Sequence, residues 1–242
     1  MLRSSNPVLG RRLETTGDVS SRKATLLGTS NKAAMLLAMV VATAGISWHQ
    51  FYQDPTSAMG LTLLGGIGGL VAVLVLINKP QWAGILAPVY ALLEGLVVGS
   101  VSAMYEQKYG GLVFNAVGLT FATMAVMLLA YSTGLLRATP GLVRGVVVAT
   151  AGVAVYYIIA MVLGMFHIEA PLIGSNSLAG IGFSFFVTGL AAFNLIIDFA
   201  QIEASVNEGQ PEYMEWYGAF GLVVTLIWMY LEMLRLLSKL RN

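Results

Sequence analysis

Seven long apolar stretches, separated by short segments of turn chemistry, constrain this chain more than any other feature. A helix that crosses a bilayer needs about 20 mainly apolar residues. The stretches that meet or approach this length are Ala33–Phe51, Ala58–Ile77, Trp82–Met104, Leu112–Thr133, Leu142–Met165, Leu178–Ala200 and Trp216–Leu237. Between them lie Asp54-Pro55, Asn78-Lys79-Pro80, Gly110-Gly111, Thr139-Pro140-Gly141 and the segment from Ala170 to Ser177, all rich in turn-forming residues. The pattern predicts an all-α membrane protein with seven transmembrane helices.

Composition agrees: 57% of the residues are hydrophobic and 10% are charged, against about 25% charged in a soluble domain. A net charge of +1 points neither to nucleic acid nor to an acidic substrate. With no cysteine, disulfides and thiolate metal sites are excluded.

Residues 1–31 are rich in Ser, Thr, Arg and Gly and are expected to form a flexible cytoplasmic tail, with Leu26 and Leu27 placed to touch the membrane surface. No apolar region precedes Ala33, so the tail does not read as a cleavable signal peptide. Residues 32–242 are expected to form the transmembrane domain. Its one sizeable loop is predicted at Gln201–Glu215, which carries four glutamates and no Lys or Arg.

Orientation follows from where Lys and Arg fall. With the N-terminus in the cytoplasm, the inner side holds Arg3, Arg11, Arg12, Arg22, Lys23, Lys32, Lys79, Arg137 and Arg144. The outer side then holds Lys108, Arg235, Lys239 and Arg241. Nine against four favours a cytoplasmic N-terminus and an external C-terminus. Trp48, Trp82 and Trp216 lie at span ends, as interfacial anchors do. Gly65 and Gly69 form a small-xxx-small pair, read as plain helix packing.

Charges in hydrocarbon are expensive, roughly 2.5–3.5 kcal/mol for a mid-span aspartate, so carboxylates within spans are the place to look for function. Three qualify: Glu94, Asp198 and Glu232. Arg235 follows Glu232 on the same helix face and is placed to pair with it, and no other Lys or Arg is expected deep in a span. At 1.5 Å per residue, Glu94 lies about 18 Å from the inner end of its span, Glu232 about 24 Å beyond Trp216 and Asp198 about 30 Å below Leu178. If their faces converge, the three acids form a ladder suited to passing a cation or proton. The plainer alternatives stay open: Asp198 as a span-end residue reaching water beside Gln201, and Glu232 as a structural partner of Arg235. His49 and His167 are expected in outer loops. There is no HExxH, nucleophile elbow or phosphate-binding glycine loop. An enzyme is not expected, nor is a cofactor, and no metal-ligand set is identified.

The run Asn194-Leu195-Ile196-Ile197-Asp198-Phe199-Ala200-Gln201-Ile202 resembles the sixth-span signature of the Bax inhibitor-like family of transmembrane proteins. Tyr90 to Gly99, with Glu94-Gly95, resembles that family's third-span Glu-Gly motif, and Tyr230-Leu231-Glu232 followed by Met233 to Leu237 resembles its seventh-span ending. The resemblance covers the chain from about Ala33 onward. It implies a seven-helix fold whose last helix is central, surrounded by the other six. It also implies a pH-sensitive leak channel for a cation, calcium foremost, in which two aspartates of the sixth and seventh helices share a proton.

Asp198 matches the first of those aspartates, and two registrations compete for the second. Matching on Tyr-Leu-Glu nominates Glu232; matching on Ala219, Leu222 and Arg235 places Thr225 opposite Asp198, about 14 Å beyond Trp216. Asp198 is then expected as an inner gate residue, with Glu94, Glu232 and Arg235 in a separate network higher up. The implied partners are the bilayer, protons and the cation, with no protein partner identified. The rival reading is a non-conducting protein that modulates another membrane protein, such as a protease, through the tail and the loop Gln201–Glu215.

Overall fold

The computed structural model describes residues 22–166, 168, 170 and 172–241. The tail expected over residues 1–31 therefore lies largely outside the described residues. Its last part does not: Leu26 to Asn31 are the first turns of helix α1 (Leu26–Gln53), because Thr25 caps them by accepting from the Gly28 amide at 2.9 Å.

Helix α2 (Pro55–Asn78) begins with a proline in its first turn after Asp54, whose carboxylate caps the Thr56 amide at 3.0 Å. The Ser57 hydroxyl and the Thr56 amide donate to this exposed carboxylate and hold its pKa below the usual value. A 3-10 turn at Pro80–Trp82 leads into α3 (Ala83–Lys108), and Gly111 takes the left-handed φ of 77° needed to start α4 (Leu112–Ser132). Helices α5 (Pro140–Met165), α6 (Leu178–Asn207) and α7 (Tyr213–Leu240) complete the chain. All seven are long and apolar enough to cross a membrane.

The loop expected at Gln201–Glu215 shrinks to 208–212. Gln201 to Asn207 hold no helix breaker, so α6 runs on to a Schellman stop: the Gly209 amide donates to the Val206 carbonyl at 3.0 Å and the Gln210 amide to Ser205 at 3.0 Å, with Gly209 at φ 65°. His49 likewise sits in the last helical turns of α1, bonded to Gln53 at 2.8 Å, and not in a loop. His167 lies outside the described residues.

The last helix is the central one. Of the residues in its apolar stretch 61% are buried, against 56% in α6 and 11% in α5. Helices α1, α3, α4 and α6 pack on α7 directly, while α2 lies outside on α1 and α3, and α5 lies outside on α6. Chain ends alternate from one face to the other. The face that carries Arg22 to Thr25 is called the N-side below, and its opposite the far side.

Helices α1 and α3 approach backbone to backbone. A methyl group added at Gly95 would collide with the Val40 carbonyl and the Thr43 hydroxyl, and one at Gly99 with the Ala44 carbonyl. In lipid, where apolar burial between helices contributes little, such backbone approach holds helices together. Gly65 fits the same account, facing the Leu93 carbonyl of α3. Gly99→Ala is expected to lower stability by about 1–3 kcal/mol by overpacking. Gly118→Ala, where the added methyl meets nothing, is the matched control, and denaturant unfolding in detergent compares the two.

Candidate functional site

Asp198 lies on α6 near the N-side, where α7 presents Gly218 and Gly221. Small residues at these positions let the carboxylate approach the α7 backbone: a methyl built at Gly221 would sit 3.9 Å from Asp198 Oδ1. Gln201, Tyr217 and Phe220 complete the walls of a cavity of about 110 Å³. No Lys or Arg lines it among the described residues. The Thr225 hydroxyl is within hydrogen-bonding reach of the carboxylate, and Thr225 is itself buried. Asp198 Oδ2 is buried and accepts no hydrogen bond among the described residues. A buried carboxylate oxygen without a donor is unfavourable, so the place calls for a proton, water or cation.

Of the two α7 residues in question, Thr225 faces Asp198. Glu232 stands two turns further along α7, about 10 Å away along the axis, in a different environment. It is 1% exposed. Its Oε1 accepts from Tyr157 Oη of α5 at 2.8 Å and from Arg235 Nη1 at 2.6 Å, and Arg235 Nη1 also reaches Tyr157 Oη at 2.6 Å. The guanidinium lies over the Tyr157 ring, 5.0 Å from its centroid. Glu232 Oε2 is buried without a hydrogen bond among the described residues. Tyr157 carries a polar link from α5 to the central helix; as an aromatic residue in an apolar span it has no sequence signal that singles it out.

Glu94 joins neither group. It points from α3 towards α2, where a methyl built at Gly69 would meet its Oε2 at 3.1 Å. It makes no hydrogen bond or ion pair among the described residues; its polar neighbour is Tyr90. The expected network of Glu94, Glu232 and Arg235 is thus reduced to the last two plus Tyr157. The three acids face different helices and do not form one ladder. Tyr90 and Glu94, one turn apart on the same face of α3, both border Gly69 of α2, and Tyr90 also meets Phe220 of α7 with ring centroids 5.0 Å apart.

Two further cations lie inside the fold where none was expected, Lys239 buried and Lys32 half-buried. Lys239, 4% exposed, donates to the carbonyls of Leu172 at 2.8 Å and Gly180 at 2.9 Å, tying the α5–α6 loop to the end of α7. At the N-side, Lys32 forms an ion pair with Glu215, which is 5% exposed. Glu215 Oε1 also accepts from the Thr25 amide and hydroxyl, both at 2.8 Å. Lys32 Nζ lies 5.3 Å from the centre of the Trp216 ring, so Trp216 is an internal wall as well as a span-end aromatic. An acid just ahead of an interfacial tryptophan, with a lone lysine at the start of the first span, is the signal that could have found this pair.

A model of the family described as Bax inhibitor 1 like matches residues 6–242. No curated protein and no solved structure is significantly similar to the chain. The match extends over nearly the whole sequence and includes all seven helices, with Glu94, Asp198 and Glu232 among them. This integral membrane protein belongs to the Bax inhibitor 1 like family.

Proposed function

We propose that the protein is a non-enzymatic, pH-sensitive leak pathway for a cation, calcium foremost, with Asp198 as the gate on the N-side. The observation that carries this reading is the buried Oδ2 of Asp198, which has no donor among the described residues and sits at a cavity bordered by Gly218 and Gly221, with no Lys or Arg among the described residues that line it. When charged, Asp198 needs water or a metal ion at Oδ2 and draws a cation into the cavity. When protonated, it is a neutral group beside Thr225, and the attraction is gone. Flux therefore rises with pH. Gln201, exposed at the same cavity, is the first polar group such a cation would meet. Glu232, Arg235 and Tyr157 act here as a structural tie, and Glu94 is a second acid off the main path. The excess of Lys and Arg supports an N-side that faces the cytoplasm, and the membrane in this reading is a bacterial cytoplasmic one.

Calcium flux into proteoliposomes, scanned from about pH 5 to 8, tests the reading. Wild type is expected to conduct more as pH rises. Asp198→Asn is expected to stay near the low-pH level throughout, because the amide keeps the shape and removes the charge. Folded protein that conducts no better than empty liposomes would end the leak reading. It would favour a non-conducting protein that modulates another membrane protein.

A further inference from the structure

We propose that the far side of the protein carries a binding site for a phosphate-bearing anion. A cavity of about 470 Å³ lies there between the end of α3, the end of α7 and the loop before α6, a size that accommodates a small ligand or a lipid head group. Three cations line it: Lys108, Arg235 and Lys239. No carboxylate does so among the described residues. Tyr105, Asn176 and Ser238 add polar groups to the same walls.

The cations arrive from two helices and are held by different means. Arg235 gives Nη1 to Glu232 and Tyr157, while its Nε and Nη2 make no hydrogen bond among the described residues. Lys239 is fixed by two carbonyls and keeps a third N–H, since an ammonium has three. Lys108 is exposed at the rim, over the Tyr109 ring at 5.1 Å. Two of the three positions are thus set by packing before any ligand binds, which lowers the entropy lost on binding. Glu232 neutralises Arg235 in part, yet the lining keeps a surplus of positive charge. Phosphate suits such a site because its several oxygens accept from several donors at once. The site does not depend on the proposed leak, whose gate lies at the opposite end of the bundle.

Free phosphate and a phospholipid head group share this chemistry, so both are used as probes of the full-length chain. Inorganic phosphate is titrated calorimetrically against detergent-purified protein. In parallel, retention of phosphatidylglycerol is measured by native mass spectrometry after release from nanodiscs of phosphatidylglycerol and phosphatidylcholine. The wild type is expected to bind at least one probe, and Lys108→Gln is expected to weaken that binding about fivefold. Lys79→Gln, a cation of the opposite face, is expected to change nothing. Lys108 makes no hydrogen bond or ion pair among the described residues, so its variant should fold. Lys239→Met serves as the second variant and should weaken binding at least as much. Binding of phosphatidylglycerol alone assigns the site to a lipid; binding of phosphate alone assigns it to a soluble phosphate compound. The proposal is overturned if folded wild type binds neither probe, or if Lys79→Gln weakens binding as much as Lys108→Gln.

Discussion

Glu232→Leu is expected to destabilise the folded protein by about 3–5 kcal/mol, the usual result of removing one partner from a buried ion pair. The argument is local. Glu232 Oε1 is the acceptor for both Tyr157 and Arg235. Without it the guanidinium has no counter-charge and the Tyr157 hydroxyl loses its acceptor, so α5 keeps only the Arg235 Nη1 bond to the central helix. The Arg235 side chain is 25% exposed, so it can turn partly towards water, which places the effect nearer the lower figure. Tyr157→Phe removes one hydrogen-bonding hydroxyl and should lower stability by about 1 kcal/mol. The double variant Glu232→Leu with Arg235→Leu should recover much of the loss, since no buried charge is then stranded. Denaturant unfolding in a fixed detergent compares the three. If Glu232→Leu were no more harmful than Tyr157→Phe, the pair would contribute nothing and Glu232 would need another role.

The same variants separate scaffold from gate. Glu232→Gln should reduce stability while leaving the pH dependence of flux in place. Asp198→Asn should do the reverse, since Asp198 accepts at most one weak hydrogen bond and has little to lose. A flux whose pH response followed Glu232 would return the shared-proton arrangement to consideration, despite the two turns of helix between Glu232 and Thr225.

The helices were legible because hydrocarbon demands long apolar runs, and turn residues mark their ends. The stretches read as Leu112–Thr133 and Leu142–Met165 agree with α4 and α5 to within two residues. Ends were missed where polar sequence is still good helix sequence. Gln201 to Asn207 look like a loop by composition, yet nothing in them stops a helix before Gly209. From the residues themselves, side-chain partners were legible only within one helix; Thr225 opposite Asp198 came as one of two registrations that the family resemblance offered. The pairing of Glu232 with Arg235 followed from their spacing of three residues, whereas Tyr157 and Lys32 reach their partners from other helices. That information lies in helical phase and tilt, which apolar spans do not reveal: when every face is apolar, no stripe says which one turns inward. Glu94 shows the consequence, since its depth was estimable and its direction was not.

Glu215→Ala is expected to release the segment before α1 from the loop between α6 and α7. Arg22 to Thr25 is held there by an isolated bridge between Lys23 and Pro211, by the Ala24 amide donating to the Gln210 carbonyl at 2.8 Å, and by the two Thr25 bonds to Glu215. Beneath them Gly28 packs so closely on the Glu215 carboxylate that no Cβ would fit. Removing that carboxylate takes the acceptor from Thr25 and the main counter-charge from Lys32, whose side chain is 14% exposed. Glu212, 3.6 Å from Lys32, remains as a weaker substitute. The penalty should therefore fall below the 3–5 kcal/mol typical of a broken buried pair, at about 2 kcal/mol. The absence of cysteine makes the effect measurable with a single reporter. Ala24 is 4% exposed, so Ala24→Cys should react slowly with a maleimide in folded protein. Adding Glu215→Ala should speed labelling at least about tenfold, because local opening is then easier by more than about 1.4 kcal/mol. Labelling of Ser57→Cys, on the far side, should not change. Equal rates at Ala24→Cys with and without Glu215 would mean that the backbone bridge alone holds the segment, and that the buried ion pair serves only α1 and α7.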